Sequence, residues 1–255
     1  MVPEKYLMSL FLSSLIWSTA TAFAYGTDTQ YRSLLNETDG KIYDAIVHHV
    51  ENQNTQTLQM SATIRYEGLL KVLECVMNDH PEYYWLASTF KYKSYNGSGI
   101  VTSITFDYLK EVEGDYNSVI NQIIQEASKY NTFEERIKCV QEYIMVNTFY
   151  EDNVLSDSSY GVLVNHKAVC SGYAKAFQDI CKRLGYDCIY VTGEALNQYH
   201  AWNIIKDDNG ELHCFDVTWD DARDSLCSFN VPLDVMNRTH TLSELSQQLI
   251  NGEVK

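Results

Sequence analysis

Basic stripes, CxxC pairs, proline and long apolar runs are all scarce in this chain, and each shortage removes a class of function. Lysine and arginine number 19 against 34 aspartates and glutamates, a net charge of −15. Such a surface repels phosphate backbones, so no nucleic-acid partner is expected. Without a CxxC pair there is no support for a structural zinc site, and no metal is expected. Three prolines and twelve glycines exclude collagen-like or linker-dominated composition. Beyond residue 24 no apolar run reaches the roughly 18–20 residues that a membrane span needs, and no C-terminal anchor signal is visible. There is no internal repeat and no low-complexity tract.

What is present suits an ordinary globular chain. Its 255 residues fit one medium domain, or one domain with a substantial N-terminal extension. Apolar residues make up 45% and charged residues 21%, enough to bury a core without disulfide staples. Nineteen tyrosines read first as sheet residues and second as a ligand-contact surface. Seven cysteines leave at least one thiol unpaired. An unpaired thiol is either reactive or a small buried hydrophobe, and most of the seven read as the latter. At the N-terminus, Lys5 precedes an apolar stretch running from Tyr6 to Trp17, and Ala22-Phe23-Ala24 follows with small-x-small spacing. This pattern reads as a signal peptide over residues 1–24, so a secreted or cell-surface protein is expected.

Hydrophobic periodicity divides the remainder. Residues 30–51 read as a helix with a possible break at Asp39-Gly40. Residues 55–64 read as a strand or extended link, and 65–79 as a second helix with Leu69, Leu70, Val72, Leu73, Val76 and Met77 inward. Aromatic and β-branched runs on either side of Asn96-Gly97 predict a β-hairpin. Helices follow over 113–130 and 132–149, the second opened by a Thr132/Glu135 capping box. The second half reads as a helix over 170–184, ended by Gly185, then strands near 187–193, 199–206 and 212–217 with a tight turn at Asp207–Gly210. Helix followed by antiparallel sheet predicts an α+β fold. The expected organisation is a leader over 1–24, an α/β extension over 25–130 and a core over 131–255.

Three segments carry chemistry. In Ala168-Val169-Cys170-Ser171-Gly172-Tyr173, a loop delivers Cys170 to the first turn of an amphipathic helix. Unpaired backbone N–H groups and the positive end of the helix dipole there stabilise a thiolate, and the same groups can bind a developing oxyanion. In Tyr199-His200-Ala201-Trp202-Asn203-Ile204, His200 shares a strand face with Trp202 and Ile204. Asp216 sits at the end of the next strand, across the Asp208-Asn209-Gly210 turn, with a register uncertain by a residue or two. A carboxylate there holds the imidazole in one tautomer and favours its protonated form. Thiol, imidazole and carboxylate are what nucleophilic acyl transfer requires.

The blocks GVLVNHKAVCSGYAKAF, YHAWNII and CFDVTWDD resemble the transglutaminase-like superfamily, whose core is related to papain, and most of all its secreted bacterial members. NDHPEYYWL at 78–86 and FNVPLDVMNRTH at 229–240 look like further segments of those proteins, so the resemblance covers roughly residues 60–245. It implies a papain-like core, a nucleophile helix on an antiparallel sheet, with Cys170, His200 and Asp216 as the triad. Where many relatives have glycine this chain has His166, which either narrows the cleft or faces solvent. Tyr160 is a candidate oxyanion donor or cleft residue. Ser171, Trp202, Asn203 and Trp219 are lesser candidates for the same roles. Asp220 and Asp221 lack the pattern of a calcium site and read as a solvated turn. His48, His49 and His213 read as structural.

The expected function is thiol-dependent acyl transfer on a protein or peptide substrate, with no organic cofactor. Hydrolysis is favoured over amine transfer. Transglutaminase cross-linking, or a non-catalytic cell-surface binding module that keeps the fold, are the alternatives.

Overall fold

The computed structural model describes residues 30–95, 98–109, 115–207 and 209–253. The expected leader, the Asn96-Gly97 turn and Asp208 lie outside the described residues. The described residues open with a 3-10 turn at Tyr31–Leu34, followed by helix α1 at Glu37–Glu51. α1 runs straight through Asp39-Gly40, where a break was expected. The interruption falls earlier, at Leu35-Asn36, because Asn36 accepts hydrogen bonds from the Thr38 and Asp39 amides and so starts the helix there. Strand β1 (Leu58–Arg65), helix α2 (Tyr66–Asp79) and strands β2 (Leu86–Ser94) and β3 (Ile100–Tyr108) complete the extension. β3 is the centre of a sheet ordered β1-β3-β2, with Phe90 opposite Phe106 and Tyr92 opposite Ile104. α2 buries Leu69, Val72, Cys75 and Val76. Leu70, expected inward, is 41% exposed, because one residue's rotation takes it off the stripe set by Leu69 and Val72.

The second half contains α3 (Tyr116–Ala127), α4 (Phe133–Asn147), β4 (Phe149–Tyr150), α5 (Ser159–Leu163), β5 (Lys167–Ala168), α6 (Cys170–Arg183), β6 (Asp187–Ala195), β7 (Gln198–Lys206) and β8 (Leu212–Phe215). After these come α7 (Val217–Arg223), β9 (Val231–Pro232), α8 (Leu233–Met236), β10 (His240–Leu242) and α9 (Glu244–Glu253). The capping box at Thr132 and Glu135 is present. Gly185 adopts φ +88°, which closes α6 at no steric cost. The main sheet is ordered β10-β6-β7-β8-β9 and every pairing in it is antiparallel. This is the expected α+β arrangement, helix α6 against an antiparallel sheet.

Alternation along the strands gives this sheet two apolar faces. Cys188, Ile205 and Phe215 join α3, α4, α5 and α6 in one cluster that includes Ile120, Ile137, Val140 and Phe177. Ile189, Val191, Trp202, Ile204 and Cys214 join the extension in the other, with Tyr31, Ile46, Leu69 and Ile104. Each such side chain is worth about 1.5–3 kcal/mol of burial, so the extension is held on the sheet by many contacts. α3, grouped with the extension from sequence, packs instead with α4 and α6.

Tyrosines serve less as sheet residues than expected. Tyr43 donates to Asp79, Tyr116 to Asp179 and Tyr173 to Asp221, each from a helix. Their rings are buried while their hydroxyls donate to carboxylates, those of Asp79 and Asp179 buried, and so tie elements together.

Candidate active site

Cys170 is the first residue of α6 because the preceding loop is pressed against that helix end. Val169 donates its amide to Ser156 O at 2.9 Å. A Cβ on Gly172 would stand 2.2 Å from the same oxygen, so only glycine lets the loop lie there. Val169, the N-cap, offers no side-chain acceptor to the first turn. Cys170 packs with Ala174, Tyr190 and Ala201, and Ala201 is the neighbour of His200. All seven cysteines are free thiols.

His200 stands near the start of β7. Its Nε2 lies 2.8 Å from Asp216 Oδ2, which leaves Nδ1 as the ring nitrogen available to Cys170. Burial opposes charge on this imidazole. Hydrogen bonds and charge interactions with Asp216 and Cys170 outweigh it, and the pKa is pushed up to about 9. Asp216 is fully buried. Its carboxyl nonetheless stays below the usual carboxylate range. Desolvation pushes it up, and hydrogen bonds from His200, His240 and the Trp219 amide overcome that push.

The strand expected to run to residue 217 ends at Phe215. Asp216 turns out of the ladder to cap α7, with Oδ1 accepting from Trp219 N at 3.0 Å. Local capping therefore overrides strand continuation, and it aims Oδ2 at His200.

Trp202 and Trp219 wall the imidazole, with ring centroids 6.1 and 6.0 Å from it. Ser171 follows Cys170 in the first turn of α6 and is partly exposed. Asn203 belongs elsewhere: its amide donates to Ala174 O at 3.0 Å and ties the sheet to α6. Tyr160 is also not a cleft residue. It is 2% exposed, packed against Tyr84 and Tyr116 in the helical cluster, because α5 turns that face inward. Asp220 is not part of a solvated turn. It is buried and accepts from Gln141 at 2.6 Å and from Ser228 N at 2.7 Å. His166 adopts φ +56°, a backbone region that favours glycine, which gives the expected glycine a physical reason.

Two residues at the site were not singled out from sequence. Tyr150, on β4 beside Ala168, brings its phenol near Cys170. The parallel pairing of two two-residue strands brings it there, and nothing so short is legible in periodicity. His240 ended a segment already recognised, FNVPLDVMNRTH, yet its role appears only in three dimensions: its Nε2 lies 3.1 Å from Asp216 Oδ2. Donor atoms of His200, Asp216 and His240 lie within 4.8 Å of one another. Both imidazole nitrogens already serve the carboxylate, so the trio reads as a hydrogen-bond network. A cavity of about 280 Å³ lies between Tyr83, Tyr84 and Leu86 of the extension and Val154, Asp157 and Lys175; Cys170, His200 and Asp216 do not line it.

A thiol at a helix N-terminus, beside an imidazole that a buried carboxylate holds, is an arrangement that can support nucleophilic chemistry. Residues 118–217 match the model of the Transglutaminase-like superfamily. That stretch takes in Cys170, His200 and Asp216. Over 126 residues the chain is 25% identical to the kyphoscoliosis peptidase of Mus musculus, covering 42% of this chain and 18% of that protein. A solved structure of a TGase is similar at 16% identity and a TM-score of 0.38, over 64% of this chain and 50% of that one. A candidate cysteine protease of Cytophaga hutchinsonii is similar at 17% identity and a TM-score of 0.36, over 51% of this chain and 61% of that one. Among the described residues no helix is long and apolar enough to cross a membrane.

Proposed function

We propose that this protein performs thiol-dependent acyl transfer on protein or peptide amides, with Cys170 as nucleophile, His200 as acid–base and Asp216 as the group that orients the base. The observation that carries the proposal is the buried imidazole of His200, 2.8 Å from Asp216 on one side and facing Cys170 on the other. A thiolate paired with this imidazolium attacks the amide carbonyl carbon and a C–S bond forms. The C–N bond breaks and the amine leaves with the proton from His200. Water then gives a proton to His200 and attacks the thioester, releasing acid and restoring the thiol–imidazole pair. A primary amine in place of water yields a new amide. Backbone N–H groups at the start of α6 would receive the oxyanion.

Hydrolysis is the favoured outcome, since water is always present and no amine-binding feature stands out. The leader reading belongs to the same proposal and places the substrate outside the cell. The test is incubation with a glutamine-bearing protein and a labelled primary amine, scored for peptide cleavage, ammonia release and amine incorporation. Cys170→Ala serves as the control. Cleavage or ammonia release that depends on Cys170 is expected. Dominant amine incorporation would make the protein a transglutaminase. No product from any substrate, with Cys170 as unreactive as the other thiols, would favour a binding module.

A further inference from the structure

Asp216 carries two imidazoles, where orienting a single base requires one. Its Oδ2 lies 2.8 Å from His200 Nε2 and 3.1 Å from His240 Nε2, while Oδ1 accepts from Trp219 N at 3.0 Å. An ionised carboxylate only accepts, so both Nε2 atoms bear hydrogen. The other nitrogen of His240, Nδ1, lies 2.8 Å from Thr239 Oγ1. The side chain of His240 is fully buried, with Trp219 at 4.4 Å and Trp202 at 4.8 Å between ring centroids. A second cation in that place, 5.6 Å from the charged ring of His200, would be costly. The Thr239 hydroxyl has one proton and two acceptors in reach, Met236 O at 3.3 Å and Nδ1 of His240 at 2.8 Å; the shorter contact directs it to Nδ1, which accepts and leaves the ring's hydrogen on Nε2.

We infer that His240 is a positioning residue for the acyl-transfer site: Thr239 holds it as the Nε2–H tautomer, and it donates to Asp216 Oδ2, keeping that oxygen ionised and aimed at His200. The inference rests on the triad reading proposed above. Its rigidity comes from β10, where His240 pairs with Ala195 of β6. The titratable and charged groups around the ring are few. His200 and Asp216 touch it, and Cys170 lies beyond His200. Asp220 acts on Asp216 from the next turn, Arg223 lies over Trp219, and Glu194 pairs with Thr241. The N–H of His240 points its positive end at the carboxylate. Removing it makes proton binding easier for Asp216, His200 and Cys170 alike, so both limbs of a pH profile move to higher pH.

The experiment follows iodoacetamide alkylation of Cys170 against pH by peptide mass mapping, which separates it from the exposed Cys227. Wild type is compared with His240→Phe, His240→Gln, Thr239→Val and His200→Ala. His240→Phe should slow alkylation at neutral pH by about tenfold and shift both limbs upward by about half a unit to one unit. His240→Gln retains an N–H and should lie close to wild type, and Thr239→Val should shift the limbs by less than His240→Phe. A His240→Phe profile reduced in amplitude but unshifted would reduce His240 to packing and overturn the inference. So would a His240→Gln profile as displaced as that of His240→Phe. If His240→Phe fails to fold, Thr239→Val decides, and unmoved limbs there overturn the inference. His200→Ala keeps the two proposals apart: wild-type reactivity in that variant defeats the triad itself, whereas lost reactivity with unshifted Thr239 and His240 variants defeats only the role of His240.

Discussion

Asp79 and Asp216 are both buried, and they behave in opposite ways. Asp79, at the end of α2, accepts from the Tyr31 amide at 2.9 Å, the Arg32 amide at 3.0 Å and the Tyr43 hydroxyl at 2.9 Å. All three donors are neutral, and burial raises the Asp79 carboxyl above the usual range. Asp216 accepts from an amide and two imidazoles, one of them charged, and its carboxyl is lowered. Depth of burial therefore does not decide the charge of a carboxylate here. What differs is where the positive charge sits: His200 donates directly to the Asp216 carboxylate, whereas Lys182 donates to the backbone carbonyl of Asp79 at 2.9 Å and does not offset the burial of its carboxyl. Asp79 uses its oxygens to pin the N-terminal 3-10 turn to α2. Asp216 uses one oxygen to cap α7 and the other to hold the base.

The contrast is broken most sharply by exchanging each carboxylate for its amide. Asp216→Asn should lower Cys170-dependent turnover by about 10²–10⁴-fold, the range for loss of an orienting carboxylate. Asp79→Asn should leave turnover unchanged, and the two rates measured side by side check this. Next in size, Asp79→Ala leaves two amides and a phenol without their acceptor. It should cost about 2–4 kcal/mol in urea unfolding.

The pH dependence of stability separates the two further. A carboxyl whose folded-state pKa is raised binds its proton more tightly in the folded chain. Asp79 therefore contributes stability at low pH that is lost as pH rises through its folded value. Asp216, lowered, contributes stability above the ordinary carboxylate range that is lost on acidification. Asp79→Asn should flatten the first slope and leave the second, as read from thermal midpoints against pH. The smallest effect is expected at the cysteine loop. His166→Gly relieves a left-handed backbone at some cost in unfolded-chain entropy, and should stabilise by about 0.5–1 kcal/mol in the same unfolding assay.

Much of this was legible from sequence. The helix opening at Cys170, the strand holding His200 and the segment holding Asp216 are marked by local signals: a glycine that closes α6, alternating burial, a tight turn. The extension's elements also follow from periodicity, except where Asn36 starts α1 later than a continuous stripe suggests. Three things were hidden because they depend on approach between distant segments. Asp216 leaves its strand to cap α7, which no alternation records. His240 lies 24 residues further on and reaches the same oxygen only because β10 pairs with β6. Tyr160 and Asn203 look polar and available in sequence, yet the fold buries both, one in an aromatic stack and the other as a tie between sheet and helix.

The central claim is that the imidazole of His200 is charged at neutral pH because Asp216 and Cys170 hold its proton. Titration of ¹⁵N-labelled His200 by NMR in wild type and in Asp216→Asn tests this directly. The account predicts a wild-type midpoint of about 9, falling toward the ordinary histidine range of about 6.5 in the variant. A wild-type midpoint already in the ordinary range, and unmoved by the substitution, would contradict it.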